Sequence, residues 1–238
     1  MKVCLYTAIY GDYEILSSHN PAITGVDFKC FTDNTELKSN FWDLTHVPNH
    51  ANIPEALFYK KIKCCPDDYI SEDYDVTIWL DANFIIKDTD YINRLINQIS
   101  DKDMLLYKHR CLAKKPRDCI YTEAMYSMTL PDWVYGDEEL KRQINDYKQD
   151  QYPTGNGLYQ SGLMVRKHND ERVKQFNSFW LDQIHKYGKR RPQCQVSLPY
   201  SMWKTDINFD SIDGDIWDTN IFEIKKHGTV RQYSPAYK

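Results

Sequence analysis

The chain reads as an α/β protein, a mostly parallel sheet with helices on both faces. Three observations carry that reading. Strand-like and helix-like stretches alternate along the chain. Several strands are continuous apolar runs rather than alternating ones, as strands covered on both faces are. The 238 residues, 42% hydrophobic, suit one domain over 1–238 with a sizeable core.

In order, residues 3–9 (VCLYTAI) predict a buried strand running into a turn at Gly11 and Asp12. Residues 27–32 predict a second, ending at Asp33 and Asn34. Residues 54–63 suit a helix stopped by Pro66. A strand over 76–80 (VTIWL) follows. Asp88 then caps a helix whose Ile92, Leu95, Ile96 and Ile99 repeat at the spacing of one buried stripe. A strand over 104–107 and a helix over 138–147 come next. After a strand over 162–165, Asn169 caps a long helix with Val173, Phe176, Trp180 and Ile184 on one side. A short helix is expected over 195–203. No repeat, low-complexity tract or linker divides the chain.

Composition narrows the function classes. The net charge of −4 is not that of a general nucleic-acid binder. Local basic clusters remain, at Lys60, Lys61 and Lys63 and at Lys189, Arg190 and Arg191. The 18 Tyr and 6 Trp offer rings to sugars or bases, or line a half-wet core. Seven cysteines without a repeated C-x-x-C pair, and a strand-like rather than signal-like N-terminus, predict a reduced, cytoplasmic protein. No apolar run reaches the ~20 residues of a membrane span.

Ligands of such sheets bind beyond the carboxyl ends of the strands. Thr7, Ala8, Ile9, Asp33, Asp81 and Asn83 all fall at such ends. Asp81 and Asn83 stand at i and i+2, so in an extended segment their oxygens point the same way, which suits Mg²⁺ or Mn²⁺. An Asx turn closing the strand explains the same residues. Lys60 and Lys63 suit a pyrophosphate, or a solvated helix face. The stretch YPTGNGLYQSG (152–162) is neither a dinucleotide fingerprint nor a P-loop. Its glycines admit a close ligand or simply make a loop. His227 can complete a metal site or merely pack. Hydrolase elbows, zincin motifs and the kinase signature set are absent.

Taken together, six segments resemble a glycosyltransferase of the GT-A type. More narrowly, they resemble the glycosyltransferase-like family of plant mucilage-related, bacterial and viral proteins, itself distantly similar to glycogenin. The segments are YTAIYGDYE (6–14), FKCFTDN (28–34), DVTIWLDANFII (75–86), KHRCLAKKPRDCIYTEA (108–124), GLYQSGLMVRKHN (157–169) and QVSLPYSMWK (195–204).

The resemblance implies a nucleotide-sugar donor, most often a UDP-sugar, a divalent metal and a Rossmann-like fold. It puts Asp81 and Asn83 at the family's D-x-D position, with His227 as third metal ligand. It puts Thr7, Ala8, Ile9, Tyr10 and Asp33 around the nucleotide, with Lys60 and Lys63 on the diphosphate. Gln160, Ser161 and Gly162 would line the donor sugar and Gln195 the anomeric carbon. Glu123, then Asp118, are the expected carboxylates near the acceptor. The pattern is departed from in two places. Asn83 replaces an acidic residue, and Gln193 and Cys194 stand where the family often has Arg-Asp, so an aspartate base is missing there.

The expected function is sugar transfer to a glycan or other hydroxyl acceptor. The alternatives are a phage or viral enzyme acting on protein or modified DNA, the latter disfavoured by charge, and a degenerate sugar-nucleotide-binding module.

Overall fold

The computed structural model describes residues 1–11, 14–17, 23–50, 53–88, 90–109, 117–129, 137–188 and 194–225. Its centre is a seven-stranded sheet. The strands are β1 (Val3–Ile9), β2 (Val26–Thr32), β3 (Asp43–His46), β4 (Val76–Leu80), β6 (Met104–Lys108), β7 (Tyr159–Lys167) and β8 (Phe209–Ile212). Their spatial order is β3-β2-β1-β4-β7-β6-β8. β5 (Phe84–Ile86) and β9 (Phe222–Ile224) pair antiparallel in a separate two-stranded sheet.

β3, β2, β1 and β4 run parallel, and β6 runs parallel to β8. β7 lies antiparallel between β4 and β6, so it is the single reversed strand of a mostly parallel sheet. The reversal decides the site. It carries the first residues of β7 to the edge where the other strands end.

The continuous apolar runs have the cause the pattern implies. Cys4, Tyr6 and Ala8 of β1 join a core with α1 (Glu55–Cys64), α5 (Glu171–Tyr187) and α6 (Cys194–Thr205). Val3, Leu5 and Ile9 enter a core on the other face, beneath α2 (Tyr91–Gln98) and the β5–β9 pair. A third cluster joins α3 (Ile120–Ser127) and α4 (Asp137–Gln149) to α6 through Ile120, Ala124, Ile144, Tyr147, Val196 and Tyr200.

Most expected elements are present with ends moved by one to three residues. The cap of α5 is corrected: Asp170, not Asn169, accepts from the backbone N–H groups of Arg172 and Val173 at 2.9 and 3.2 Å. Asn169 takes a left-handed φ of 62° and donates to the Glu72 carbonyl. Asp88 likewise lies before the helix it was expected to cap. It accepts from the backbone of Asp90, the residue that enters α2, and pairs with Arg94. Gly155 and Gly157 adopt φ of 69° and 86°, so a turn requires them. Short β3, β5, β8 and β9, and α3, had no sequence expectation.

Among the described residues, six cysteines are free thiols. No described helix is long and apolar enough to cross a membrane.

Candidate active site

Asp81 follows the last residue of β4, and its backbone N–H donates to Gly162 O at 2.8 Å, continuing the β4–β7 ladder. Its Oδ1 accepts two hydrogen bonds: from the Trp79 indole at 2.7 Å and from the Lys63 ammonium at 3.0 Å. Lys63 also reaches Ser161 Oγ at 3.3 Å and stands 5.1 Å from the centre of the Trp79 ring. The Asp81 side chain is 38% exposed while that of Lys63 is 2% exposed, so the pair joins a buried cation to an accessible carboxylate.

Lys63 owes its place to the last turn of α1. The Lys63 and Cys64 carbonyls there, beyond the reach of the helix ladder, accept from the buried Arg166 of β7. Arg166 also donates to Tyr6 Oη and to Asn177 Oδ1 of α5. The guanidinium thus ties α1 to the sheet and fixes the stem that carries Lys63.

Lys60, one turn earlier, is buried too. Burial pulls the Lys63 ammonium below the usual lysine range; Asp81 opposes this and Lys60 adds to it. Lys60 is held above that range against the opposing effect of burial by the groups around it, Cys194, Tyr59 and Asp81, of which Asp81 is the carboxylate. Asp81 bonds the Lys63 ammonium, whereas the Lys60 ammonium stands 4.3 Å from the centre of the Tyr59 ring.

β7 opens onto this edge. Its first residues, Tyr159 to Gly162, are half-buried, while Leu163 to Arg166 are buried. Opposite β6 the register jumps from Leu106–Met164 to Tyr107–Gln160, leaving Ser161, Gly162 and Leu163 without a partner on that strand. Such a bulge re-aims side chains where a strand stops being regular. A Cβ on Gly162 would lie 3.1 Å from Ile216, 3.4 Å from Asp81 Oδ2 and 3.6 Å from Phe84. Glycine is what lets these three groups converge.

The remaining expected residues are placed as follows. Thr7, Ala8, Ile9 and Tyr10 have buried side chains, so at this edge β1 offers backbone. Tyr10 donates to the Val47 carbonyl, and the Asp33 carboxylate accepts from Gly11 N. Asn83 donates its amide nitrogen to Lys225 O at 3.3 Å. Gln195, in the first turn of α6, has a buried Nε2 without a hydrogen-bond partner. Asp118 is exposed and accepts from Thr122, at the start of α3.

Glu123 is buried, and Arg117 binds both its oxygens, at 2.6 and 2.9 Å. Arg117 also approaches His109 Nε2 at 3.4 Å and stacks 4.1 Å from the Tyr126 ring centre. His109 N donates to Leu158 O and Cys119 bridges Gly157, so this trio borders the entry to β7. Arg117 and Trp217 are the residues at this edge that sequence reasoning missed. The isolated arginine carried no pattern to mark it. His227, Lys189, Arg190, Arg191 and Gln193 lie outside the described residues.

Asp81 Oδ2 and the Asn83 amide oxygen are hard donors of the kind a divalent ion takes. Among the described residues, no three of His, Cys, Asp and Glu cluster. The segment is not the extended one expected from the spacing: Phe84 N donates to Asp81 O at 3.0 Å, which closes a turn over residues 81–84, and the Asn83 amide is bonded to Lys225 O.

No protein-family model and no curated protein matches the chain. Among solved structures it is similar to the glycosyltransferase GlyE of Streptococcus pneumoniae TIGR4. The TM-score is 0.47 and the identity 10%, over 89% of this chain and 45% of that one, so the chain spans less than half of that protein. It is also similar to mouse xyloside xylosyltransferase 1 in its apo form. There the TM-score is 0.48 and the identity 10%, over 90% of this chain and 86% of the other.

Proposed function

We propose that the chain is a nucleotide-sugar-dependent glycosyltransferase whose donor diphosphate binds at Lys60, Lys63 and Asp81. The observation that supports it most is the buried Lys63 ammonium bonded to the accessible Asp81 carboxylate, with buried Lys60 one turn earlier, at the carboxyl edge of the sheet. That arrangement leaves positive charge in excess in a poorly hydrated place, which an anionic ligand offsets. A diphosphate also develops negative charge as the glycosidic bond breaks, so fixed cations stabilise the transition state more than the bound donor.

In the reaction, the bond from the anomeric carbon to the β-phosphate oxygen breaks and one to the acceptor oxygen forms. The nucleoside diphosphate departs with the bonding electron pair, and the acceptor's hydroxyl proton passes to the departing phosphate oxygen or to water. Lys63 holds the leaving phosphate, with Trp79 and Asp81 fixing the ammonium. Ser161 and the bulged backbone at Gly162 line the sugar. The unpartnered Gln195 amide offers a donor to it. Glu123, held by Arg117, is a positioned charge near the acceptor side, with Asp118 further out. A divalent ion, held by Asp81 Oδ2, Asn83 and, by resemblance, His227, would add charge to the diphosphate. UDP is the favoured nucleotide by the same resemblance. The free thiols support a reducing compartment such as the cytoplasm.

A thermal-shift series with nucleoside diphosphates and nucleotide sugars, with and without Mn²⁺, tests this. A ligand at ~100 times its Kd adds about 2.7 kcal/mol, a rise of several degrees at this size. One nucleotide sugar should stabilise the wild type. Lys63→Gln should lose that shift, and Asp81→Ala its metal-dependent part. No stabilisation by any of them overturns the proposal.

A further inference from the structure

Trp217 is 47% exposed, the most exposed described tryptophan, whereas Trp42, Trp79 and Trp180 are buried. It is not at a random place. Its chain neighbour Ile216 is 2% exposed and, with Asp81 Oδ2 and Phe84, borders the point where a Gly162 side chain would begin. The Trp217 ring packs on Phe84, centroids 6.1 Å apart and tilted 47°.

The main chain holding it is pinned. Trp217 N donates to Asp215 Oδ1 at 3.0 Å, Asp218 N to Asp215 O at 2.9 Å and Phe222 N to Asp218 O at 2.9 Å. The indole is thus presented beside the site on a fixed turn, with much of its surface in water. Burying that surface against a ligand is favourable, and little ordering of the loop opposes it.

The charge around it names the ligand class. Exposed Asp213 and half-buried Asp215 and Asp218 accompany Trp217, opposite in sign to the Lys60–Lys63 side of the site. A phosphodiester backbone is repelled by such a rim. A neutral polyol is not: its C–H face lies on the electron-rich face of an indole and its hydroxyls donate to carboxylates.

We propose that Trp217 is the platform for a pyranose ring of the acceptor, which makes the acceptor a neutral saccharide rather than DNA. The proposal rests on the glycosyltransferase reading above and specifies its second substrate.

The test compares the full-length wild type with Trp217→Phe and Trp217→Ala. Binding of neutral oligosaccharides and of a single-stranded oligodeoxynucleotide is measured beside the thermal shift given by nucleoside diphosphate. Far-UV circular dichroism checks the fold. A neutral oligosaccharide should bind the wild type, bind Trp217→Ala about tenfold more weakly, and bind Trp217→Phe within about threefold, with the nucleotide shift unchanged in all three. Saccharide affinity indifferent to Trp217, no saccharide binding, or preference for the oligonucleotide, each with the nucleotide shift intact, overturns this inference alone. Loss of the nucleotide shift in the wild type brings down the donor reading beneath it.

Discussion

Lys63 keeps its charge in a place that disfavours it. Burial lowers its proton affinity, so on raising the pH it turns neutral before an ordinary lysine does. If it holds the diphosphate, nucleotide affinity falls as pH climbs through that lowered value, short of the free-lysine 10.5. Isothermal titration with a nucleoside diphosphate between neutral pH and about pH 10 should show the loss. An affinity flat across that range would put the phosphate elsewhere. Asp81 was legible as a candidate because a short polar residue directly followed a buried strand. Its partners were not. Trp79 lies two residues away, but Lys63 meets it, and Ser161 meets Lys63, only because distant segments of the chain come together beside β4.

At the scale of elements, α5 shows how a neighbouring residue can take a predicted role. Both Asn169 and Asp170 are good caps by type. The backbone selected Asp170, because Asn169 is needed in the left-handed turn that precedes it. Asp170→Ala should therefore lower stability by about 1 kcal/mol in urea denaturation with an unchanged m-value. A loss of that size from Asn169→Ala, with none from Asp170→Ala, would reverse the assignment. The amphipathic stripe of α5 was readable because Val173, Phe176, Trp180 and Ile184 repeat at helical spacing and all are buried. The short β3, β5, β8 and β9 were not. Three or four residues give too little periodicity to separate a strand from a loop, and their ladders are fixed by partners far along the chain.

At the scale of the whole molecule, the end of β7 is anchored to the segment after α1. His168 sits on the Ser71 carbonyl and beside Asp67, which also receives Asn177 of α5. Burial holds the His168 imidazole below its ordinary 6.5, against the pull of Asp67. The folded state thus binds this proton less readily than the unfolded chain. Its contribution to stability is whole above 6.5 and is lost as pH falls from there through the folded value. Urea midpoints measured from pH 8 to about pH 5 should decline below that point, and His168→Gln should flatten the decline. A variant whose midpoint falls as steeply as the wild type would assign the acid sensitivity to other groups.

The sequence by itself determined the class of the fold and which residues stand at the carboxyl ends of its strands. Continuous apolar strands and helical stripes are local patterns, and a strand's carboxyl end can be read from where its apolar run stops. Only the tertiary structure decided that β7 is reversed, which brings Ser161 to Lys63 and Gly162 to Asp81. It alone decided that Arg117 occupies Glu123, and that an exposed Trp217 stands beside the site. Strand direction and ion pairing are set by contacts between distant segments, and the order of residues along the chain carries no local trace of them.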